Sequence, residues 1–386
     1  MKFGGPPLKI HALSRGLVAR GHKLTVATFN SERCWDCSEM EIDGVAVQYS
    51  RWFGWRLRQL PLSLGKLRHL ISQADVVHCY GLYNSICPLA ARFAHNVAKP
   101  LVIEPLGMYR PRGRNQLAKR IYHSLFTKGM LMRADAVIAT SAAEMRELRG
   151  AVNGSKLALR RNGIHTEAFQ KLPSGARFRE QFKIAEDEKL ILFLGRISPI
   201  KNLEMLVEAF SVASLPNCRL VLAGPRSESG YFHKLKRLAL SSCVNRKACP
   251  PVLLTGPIFG EDKLTALAAA DLFVLPSLSE SFGIAAAEAV AAGVPVLLTE
   301  TCGLASIIHR RAGLAVPLGV ESLIRGLRSM ILDKSLRDST TSQRDEVIKE
   351  LSWERPLNQT EELYNRLANA NSETRSRPFD LQLSGV

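Results

Sequence analysis

The sequence contains no uninterrupted apolar run long enough to cross a lipid bilayer. Its most alanine-rich stretch, residues 283–298, is interrupted by Glu288, Gly293 and Pro295. The first seven residues lack the apolar core of a secretory signal peptide. These absences argue against a membrane-spanning or secreted protein, and we expect a protein that is made and kept in the cytoplasm.

The eight cysteines do not form the framework of a disulfide-rich domain. Cys34 and Cys37 have C-x-x-C spacing, but no second pair follows to complete a zinc site, so we predict no metal site. Four further cysteines lie in apolar contexts and are predicted to be ordinary buried thiols: Cys79, Cys87, Cys218 and Cys302.

Acidic residues are absent from two long tracts, and the chain as a whole has a net charge of +17. In the first tract, residues 44–74, basic residues are interleaved with Trp52, Phe53 and Trp55. The second tract, residues 105–134, has seven basic residues: Arg110, Arg112, Arg114, Lys119, Arg120, Lys128 and Arg133. Such tracts suit an anionic membrane surface, a phosphate-carrying acceptor or nucleic acid, and a solvated face without a partner is also compatible with them. No nucleic-acid-binding module is recognisable, so we predict no nucleic-acid partner.

Short apolar runs alternate with helix-like segments along all 386 residues, which is the pattern of parallel βαβ units. A chain of this length usually forms two domains. The pattern predicts six strands in each half, which is enough for one doubly wound sheet per domain. The predicted strands are 23–29, 45–49, 75–79, 101–104, 135–139, 156–160, 190–194, 219–223, 252–255, 271–275, 294–298 and 313–316.

The predicted fold class is therefore α/β, with two doubly wound, Rossmann-like domains that face each other across a cleft. We place the first domain at residues 1–165 and the second at 166–350, with the polar, strand-poor piece 162–188 as the linker. A helix over 351–370 is expected to return to the first domain. Residues 371–386 are expected to form a flexible tail.

Two carboxylates, Glu280 and Glu288, are separated by seven residues at a predicted strand-to-helix turn. We expect Glu280 to lie in the turn and Glu288 about two turns into the helix, so that both can face one crevice. The alternative is a pair of solvated helix-end charges. The amides that begin the helix form a predicted anion site and belong to Ser281, Phe282, Gly283 and Ile284.

A second segment with potential chemistry follows the predicted strand 190–194. Gly195 permits close approach of the backbone to a ligand, and Arg196 and Lys201 project from the same strand-to-helix loop. A guanidinium fork and an ammonium group suit a diphosphate, although either cation alone can be a solvated loop charge. Both segments fall at the carboxyl ends of predicted strands, where open parallel sheets bind ligands.

Together these segments resemble those of glycosyltransferase family 4, a retaining family with the GT-B fold. The stretch from Glu280 to Glu288 resembles its E-x7-E element, and the stretch from Gly195 to Asn202 resembles its G-R-x5-K/N element. The resemblance extends over almost the whole chain and is strongest from 190 to 300. Other segments that match in order and spacing are Arg161-Asn162-Gly163-Ile164, Leu222-Ala223-Gly224-Pro225, Leu254-Thr255-Gly256-Pro257-Ile258 and Leu351-Ser352-Trp353-Glu354.

The resemblance implies a nucleotide-diphosphate sugar as the donor and retention at the anomeric carbon. It implies that Arg196 and Lys201 bind the donor pyrophosphate, that Glu280 contacts the sugar and that Glu288 binds the nucleotide ribose. No Asp-x-Asp pair occurs in the chain, so neither a metal ion nor a further cofactor is expected. Further binding residues implied by the resemblance are Gly4, Gly5, Gly195 and Ile258, and the loop that contains Ile258 flanks the nucleobase in relatives.

The chain departs from the family pattern at its beginning. Family members start with a hydrophobic strand before the Gly-Gly loop, whereas Gly4 here follows only three residues. In a doubly wound sheet that strand is central and pairs on both sides, so its loss leaves two rows of backbone groups unpaired. Either the start of the chain is misassigned or the first domain is truncated.

A second departure concerns a histidine pair. Relatives often carry H-x-H near the transferred sugar, where this chain has His78 and Tyr80. A tyrosine hydroxyl donates a hydrogen bond but is a poor proton shuttle near neutral pH. His78 can act near the sugar or can be a core histidine, and both interpretations stay open.

The sequence therefore predicts a glycosyltransferase for a glycan or lipid-linked acceptor, in the synthesis of a cell-surface polysaccharide or glycolipid. Its basic, tryptophan-containing first half is predicted to bind the anionic inner face of the cell membrane. A non-catalytic or impaired protein that binds nucleotides or glycans is the alternative, because of the deficit at the N-terminus.

Overall fold

The computed structural model describes residues 5–29, 39–50, 52–53, 60–61, 64–110, 116–226, 229–244 and 252–376. Gly4 and the Cys34–Cys37 pair lie outside these ranges. So do most of the aromatic and basic residues in the part of the first tract from 44 to 63. The chain divides into two units: one runs to Arg161 and resumes at Trp353, and the other is Asn162–Ser352. These divisions lie within four residues of the predicted boundaries at 165 and 350.

The first unit begins with helix α1 (Gly5–Ala19), which buries Leu13 and Leu17 on one side. Strands β1 (Thr25–Phe29), β2 (Glu39–Ile42) and β3 (Val45–Ser50) follow. They form a three-stranded sheet in the order β1-β3-β2, in which β1 is parallel and β2 antiparallel to β3. A short antiparallel pair, β4 (Trp52–Phe53) and β5 (Leu60–Pro61), comes next.

A separate four-stranded parallel sheet in the same unit has the order β6-β7-β8-β9. Its strands are β6 (Val77–Tyr80), β7 (Leu101–Glu104), β8 (Ala136–Ala139) and β9 (Leu157–Leu159). β7 and β8 are buried along their whole length, as expected for parallel strands covered on both faces. The intervening helices are α2 (Leu64–Gln73), α3 (Ile86–Asn96), α4 (Gln116–Tyr122), α5 (Lys128–Arg133) and α6 (Ala142–Leu148).

The prediction of one continuous sheet in the first half is wrong for the described residues. Among those residues, β1 and β6 each pair on one side only. Ala27 of β1 nevertheless packs against the apolar cluster that contains Cys79 of β6, so the two sheets share a core.

The second unit begins with residues that the sequence assigned to a linker. They contain a 3₁₀ turn, Thr166–Phe169, and helix α7 (Ala176–Gln181). The side chains of Phe169, Phe178 and Ile184 are buried in the main apolar core of this unit. The segment is therefore an integral part of the second unit, because it contributes large side chains to the core.

A six-stranded parallel sheet forms the centre of the second unit, in the order β12-β11-β10-β13-β14-β15. The strands are β10 (Lys189–Leu194), β11 (Cys218–Ala223), β12 (Val252–Gly256), β13 (Leu272–Leu275), β14 (Val296–Thr299) and β15 (Gly313–Val316). All six correspond to predicted strands. The strand order reverses between β10 and β13, and ligands of such sheets bind at the carboxyl ends beside that point.

Helices cover both faces of this sheet because its strands are apolar on both sides. They are α8 (Leu203–Ala213), α9 (Ser229–Val244), α10 (Gly260–Ala269), α11 (Ile284–Ala291), α12 (Ala305–Ile308), α13 (Val320–Leu332), α14 (Lys334–Thr340) and α15 (Arg344–Glu350).

The last helix, α16 (Glu354–Ser376), is part of the first unit. Trp353 and Leu357 form an apolar cluster with α1, and a Cβ at Gly16 would lie 2.6 Å from a Leu357 methyl group, so the helices approach closely there. α16 continues to Ser376, so residues 371–376 are helical where a tail was predicted. Within the described ranges, no helix combines the length and apolarity needed to cross a membrane.

Candidate active site

The loop after β10 holds the first group of predicted residues. β10 is buried up to Leu194, and the chain then leaves the sheet at Gly195. A 3₁₀ turn, Pro199–Lys201, and a left-handed Asn202 with φ of 53° bring the chain into α8. The Arg196 side chain is exposed and that of Lys201 is partly buried. Both cations therefore project from the carboxyl edge of the sheet, as predicted.

Two backbones approach closely beside this loop. A Cβ at Gly224, just after β11, would lie 1.7 Å from the carbonyl oxygen of Gly195. The Gly195 amide donates to Ala223 O at 3.0 Å, and the Ile197 amide donates to Pro225 O at 2.9 Å. Because glycine has no side chain at position 224, the two backbones can approach this closely at the beginning of the loop.

The turn after β13 holds the second group. Gly283 has φ of 100°, and a Cβ there would lie 2.8 Å from Cys302 Sγ, so glycine is required on both backbone and steric grounds. α11 begins only at Ile284, with Gly283 as its N-cap. Ser281 and Phe282 therefore precede the helix and do not start it. Glu288 lies just over one turn into the helix, so the prediction that it lies about two turns into the helix is wrong.

Glu280 is held in place by neighbouring backbone. Its amide donates to Thr301 O at 3.2 Å, and its carbonyl accepts from the Gly303 amide at 2.8 Å. Its carboxylate forms an ion pair with the Lys201 ammonium group. The Leu278 amide donates to Ile200 O at 2.9 Å. The structure therefore brings together the two loops that the sequence predicted separately.

Glu288 has a partner that the sequence reasoning missed. Lys263 Nζ on α10 lies 2.7 Å from Glu288 Oε1, and both side chains are partly buried. Oε2 of Glu288 is the carboxylate oxygen that this bond leaves available for a ligand. Lys263 lies five residues after Ile258, in the helix that follows the predicted base-binding loop. That position in the sequence is the signal from which Lys263 could have been predicted as a site residue.

Two side chains of that loop differ in exposure. Ile258 is partly buried and packs against the main core of the unit. The next residue, Phe259, is exposed. A role in base binding at Ile258 stays a prediction, and its side chain faces the core.

Small polar side chains support the turn at Glu280. Thr299 and Thr301 both donate to the carbonyl of Ser277, at 2.8 and 2.5 Å. Cys302 Sγ donates to Phe282 O at 3.2 Å, and burial and the charge of Glu280 raise the pKa of this thiol to about 12. Cys302 is thus an inert packing group. The prediction of buried free thiols is confirmed for Cys79, Cys87, Cys218 and Cys302.

In the first unit, His78 lies in the interior. Its side chain is 7% exposed, its Nδ1 is 2.6 Å from the hydroxyl of Tyr364, and its Nε2 is 3.7 Å from Glu104 Oε2. Burial, followed by the positive charges of Arg160 and Lys9, lowers the pKa of His78 well below its ordinary value. This placement favours the core-histidine interpretation, with a tyrosine hydroxyl as the partner.

Tyr80 stacks on His78 with ring centroids 4.1 Å apart. Burial raises the pKa of Tyr80. Gly5 is the first residue of α1, and Gly4 lies outside the described ranges. The structure therefore brings His78 and Tyr80 together, and the contribution of the two glycines stays a prediction.

A buried charge network surrounds Glu104 at the end of β7. Glu104 is 0% exposed and forms ion pairs with the ammonium group of Lys9, which is 2% exposed, and with Arg160 Nη2 at 2.5 Å. Arg160 Nη1 also donates to Thr360 Oγ1 of α16 at 2.7 Å. The network links α1, β7, the end of β9 and α16. The sequence reasoning noticed none of these pairings.

Metal-ligating side chains are not clustered in the described parts of the chain. No group of three or more His, Cys, Asp or Glu residues there could hold a metal ion. The positive charges near the carboxyl edge of the second-unit sheet include Arg196, Lys201 and Lys263, and Arg226 forms a bridge with Ile197 beside them.

Comparison with known families gives a match in each half of the chain. Residues 4–163 match the "Glycosyl transferase 4-like domain" family and residues 175–346 match "Glycosyl transferases group 1". These two matches, on two Rossmann-like α/β units whose structural neighbours have the GT-B fold, identify the chain as a GT-B glycosyltransferase.

Individual relatives agree with this class. An uncharacterized glycosyltransferase of Methanocaldococcus jannaschii is 27% identical over 382 residues, covering 94% of each chain. The structure of sucrose-phosphate synthase from Thermosynechococcus elongatus superposes with a TM-score of 0.75 at 23% identity, covering 95% of this chain and 94% of that one. Anabaena HepE, in complex with UDP and glucose, superposes with a TM-score of 0.71 at 18% identity, covering 97% and 96%.

Proposed function

We propose that this protein transfers a sugar from a nucleotide-diphosphate sugar to a glycan or lipid-linked acceptor, as a retaining member of glycosyltransferase family 4. The observation that carries the proposal is the meeting of the Lys201 loop with Glu280 beside the point where the strand order reverses. The presence of UDP and glucose in the HepE complex supports the donor class. Synthesis of a cell-surface polysaccharide or glycolipid is the process that we propose for it.

In this proposal, the cations bind the donor diphosphate. The planar guanidinium of Arg196 is suited to two parallel hydrogen bonds with phosphate oxygens, and Lys201 contributes a point charge. The first-turn amides of α11, from Ile284 onward, have no acceptors within the helix and face the N-terminal side. Negative charge develops on the leaving diphosphate as the bond to the sugar breaks, and these groups stabilise it.

The two acids hold the rest of the donor. Glu288 uses its free oxygen to accept a hydrogen bond from the ribose, while Lys263 fixes the other oxygen. Glu280 accepts from a hydroxyl of the sugar and also orients Lys201. These are the roles that the E-x7-E resemblance implies for the two residues.

We propose that transfer proceeds on one face of the sugar ring. The acceptor hydroxyl attacks the anomeric carbon from the side that the diphosphate leaves, the bond from that carbon to the phosphate oxygen breaks, and the leaving phosphate takes the hydroxyl proton. No metal ion and no cofactor beyond the donor enters this scheme, since fixed cations stabilise the diphosphate.

The first experiment is a thermal-shift panel with UDP, GDP, ADP and their sugar conjugates. A ligand at about 100 times its Kd adds about 2.7 kcal/mol to the free energy of unfolding. For a unit of this size that raises Tm by about 5–10 °C. Arg196→Ala and Glu288→Ala should abolish the shift. The matched controls Arg325→Ala and Glu208→Ala, on the exposed sides of α13 and α8, should retain it.

Transfer is measured next, with the nucleotide that gives the shift. Retention predicts that NMR of the product shows the same anomeric configuration as the donor, and metal independence predicts an unchanged rate in excess EDTA. Inversion or loss of activity in EDTA would contradict those parts of the proposal. Tight nucleotide binding without transfer to any acceptor would favour the non-catalytic alternative, which the unpaired edges of β1 and β6 in the described residues motivate.

A further inference from the structure

The most apolar exposed surface of the described residues lies on one helical segment of the first unit. α4, the π-helical turn His123–Thr127 and α5 form a continuous helix over residues 116–133. Five of the fourteen large apolar side chains that are exposed in the described parts of the chain lie on it. They are Leu117, Ile121, Leu125, Phe126 and Met132. Leu117, Leu125 and Met132 are 72%, 67% and 71% exposed.

Other side chains of the same segment attach it to the first unit. Met130 and Leu131 pack into the core of the unit, and the Tyr122 hydroxyl donates to Asn84 O at 2.5 Å. Leu117 and Ile121 are four residues apart, so they lie one above the other on the outward side. The segment is therefore anchored by Tyr122, Met130 and Leu131, and it leaves its exposed apolar side chains as an uncovered stripe.

The exposed charged side chains of this segment have one sign. Arg120, Lys128 and Arg133 are exposed, and residues 105–134 contain no acidic side chain. A helix with an apolar stripe bordered by basic residues is suited to lie in the interface of a bilayer, with the stripe among the acyl chains and the cations at anionic headgroups.

Other occupants fit this face less well. A second copy docking through the same face brings basic residues against basic residues, which is unfavourable. Single-stranded nucleic acid is bound through stacked aromatic side chains, whereas the stripe is mainly aliphatic, with Phe126 as its one aromatic member. Charge and side-chain type therefore favour lipid.

We propose that the exposed face of residues 116–133 docks this protein onto an anionic lipid bilayer, with the helix lying parallel to the membrane plane. This inference does not depend on the identity of the donor. It concerns the first unit, whereas the proposed diphosphate site lies in the second, so vesicle binding and nucleotide binding fail or succeed separately.

Vesicle flotation of the full chain tests the apolar stripe. The wild-type protein should float with phosphatidylglycerol-containing vesicles and bind pure phosphatidylcholine at least about tenfold more weakly, because the cations need anionic headgroups. Leu117→Ser with Met132→Ser should weaken binding about tenfold or more, since both side chains lose apolar contact with lipid. Leu240→Ser with Leu332→Ser, two exposed leucines of the second unit, is the matched control and should bind as wild type.

A second set of vesicle experiments removes positive charge from residues 116–133. Arg120→Gln with Lys128→Gln should weaken binding about 25-fold at low salt, because each basic residue near an anionic surface contributes about a factor of five. Lys236→Gln with Arg237→Gln, on the exposed side of α9, is the control of equal charge and should lose much less. The circular dichroism spectrum and the Tm of all four variants should match those of the wild-type protein, which shows that they are folded.

Several results would overturn the proposal. One is the absence of wild-type binding to anionic vesicles at low salt. Another is equal weakening by the control pairs, which would mean that overall charge or hydrophobicity decides. If the Leu117 and Met132 variant binds vesicles as wild type but loses a concentration-dependent dimer in sedimentation velocity, the face is a contact between copies and not a membrane site.

Discussion

Gly224 allows a direct test of how the loop after β10, which we propose binds the donor diphosphate, is held. In Gly224→Ala, the new Cβ would lie 1.7 Å from the carbonyl oxygen of Gly195 and 2.7 Å from its carbonyl carbon. Both are backbone atoms, so no side-chain rotation relieves the clash. The φ of Gly224, +154°, is also one that residues with side chains rarely adopt. Backbone must therefore move at the beginning of the loop that carries Arg196 and Lys201.

The expected loss of unfolding free energy follows from the backbone movement that the new Cβ requires. Carbon and oxygen atoms in close contact are about 3.3 Å apart, so the two backbones must separate by about 1.6 Å. That separation strains the bonds from the Gly195 amide to Ala223 O at 3.0 Å and from the Gly224 amide to Gly256 O at 2.8 Å. Each bond contributes about 1 kcal/mol and overpacking costs about 1–3 kcal/mol. We expect the variant to lose about 3 kcal/mol of unfolding free energy.

Urea denaturation, with a thermal-shift assay in parallel, measures the loss. Gly230→Ala is the matched control: the same atom is added, but in the exposed first turn of α9, where it would meet nothing within 4 Å. This control should be unchanged or slightly more stable, since alanine favours helix. Gly224→Ala should in addition lose its nucleotide-induced shift. Equal stability of the two variants, within about 0.5 kcal/mol, would refute the reasoning.

Three further variants test other parts of the two units. Glu104→Gln should cost about 3–5 kcal/mol in urea denaturation, because it leaves the buried guanidinium of Arg160 without its carboxylate, and a loss below about 1 kcal/mol would contradict the buried network. Lys263→Gln should weaken nucleoside-diphosphate binding about tenfold in calorimetry and weaken inorganic pyrophosphate binding less, because it frees Glu288 to rotate away from the ribose and also removes one positive charge near the diphosphate. Burial lowers the pKa of His78, so below about pH 6.5 the unfolded chain takes up a proton that the folded chain does not. Stability should therefore fall as the pH drops from 7.5 to 5.5, and His78→Phe should show a shallower fall; parallel profiles would contradict this assignment.

The strands of the second unit and the position of the loop after β10 were predictable from local sequence. Fully buried parallel strands must be apolar on both faces, so β10 and β13 appear as continuous apolar runs, and the residues after them lie at the ligand-binding edge. That reasoning correctly placed Arg196 and Glu280 at this edge. β2 was missed because three of its four residues are exposed and two of them are glutamates, so it shows no apolar pattern.

Partners distant in sequence were not predictable from one chain. Lys201 and Glu280 are 79 residues apart, and the pairing depends on the adjacency of β10 and β13 in the sheet. His78 and Tyr364 are 286 residues apart and meet because α16 packs in the first unit. Neither pair leaves a periodic signal, because side-chain contacts between elements depend on how those elements pack. The start of α11 was misplaced for a local reason: Gly283 adopts a left-handed conformation that ends the turn before the helix begins.

The two carboxylates of the E-x7-E element are each paired with a lysine from a different element, and this arrangement has an electrostatic consequence. Lys201 and Lys263 each neutralise one of the two carboxylates, and Arg196 adds a further positive charge in the same loop as Lys201. Without Lys263, an incoming diphosphate would meet an uncompensated Glu288. Lys263 therefore serves two purposes in the proposed site: it orients a carboxylate toward the ribose, and it keeps that carboxylate from opposing the negative charge of the donor.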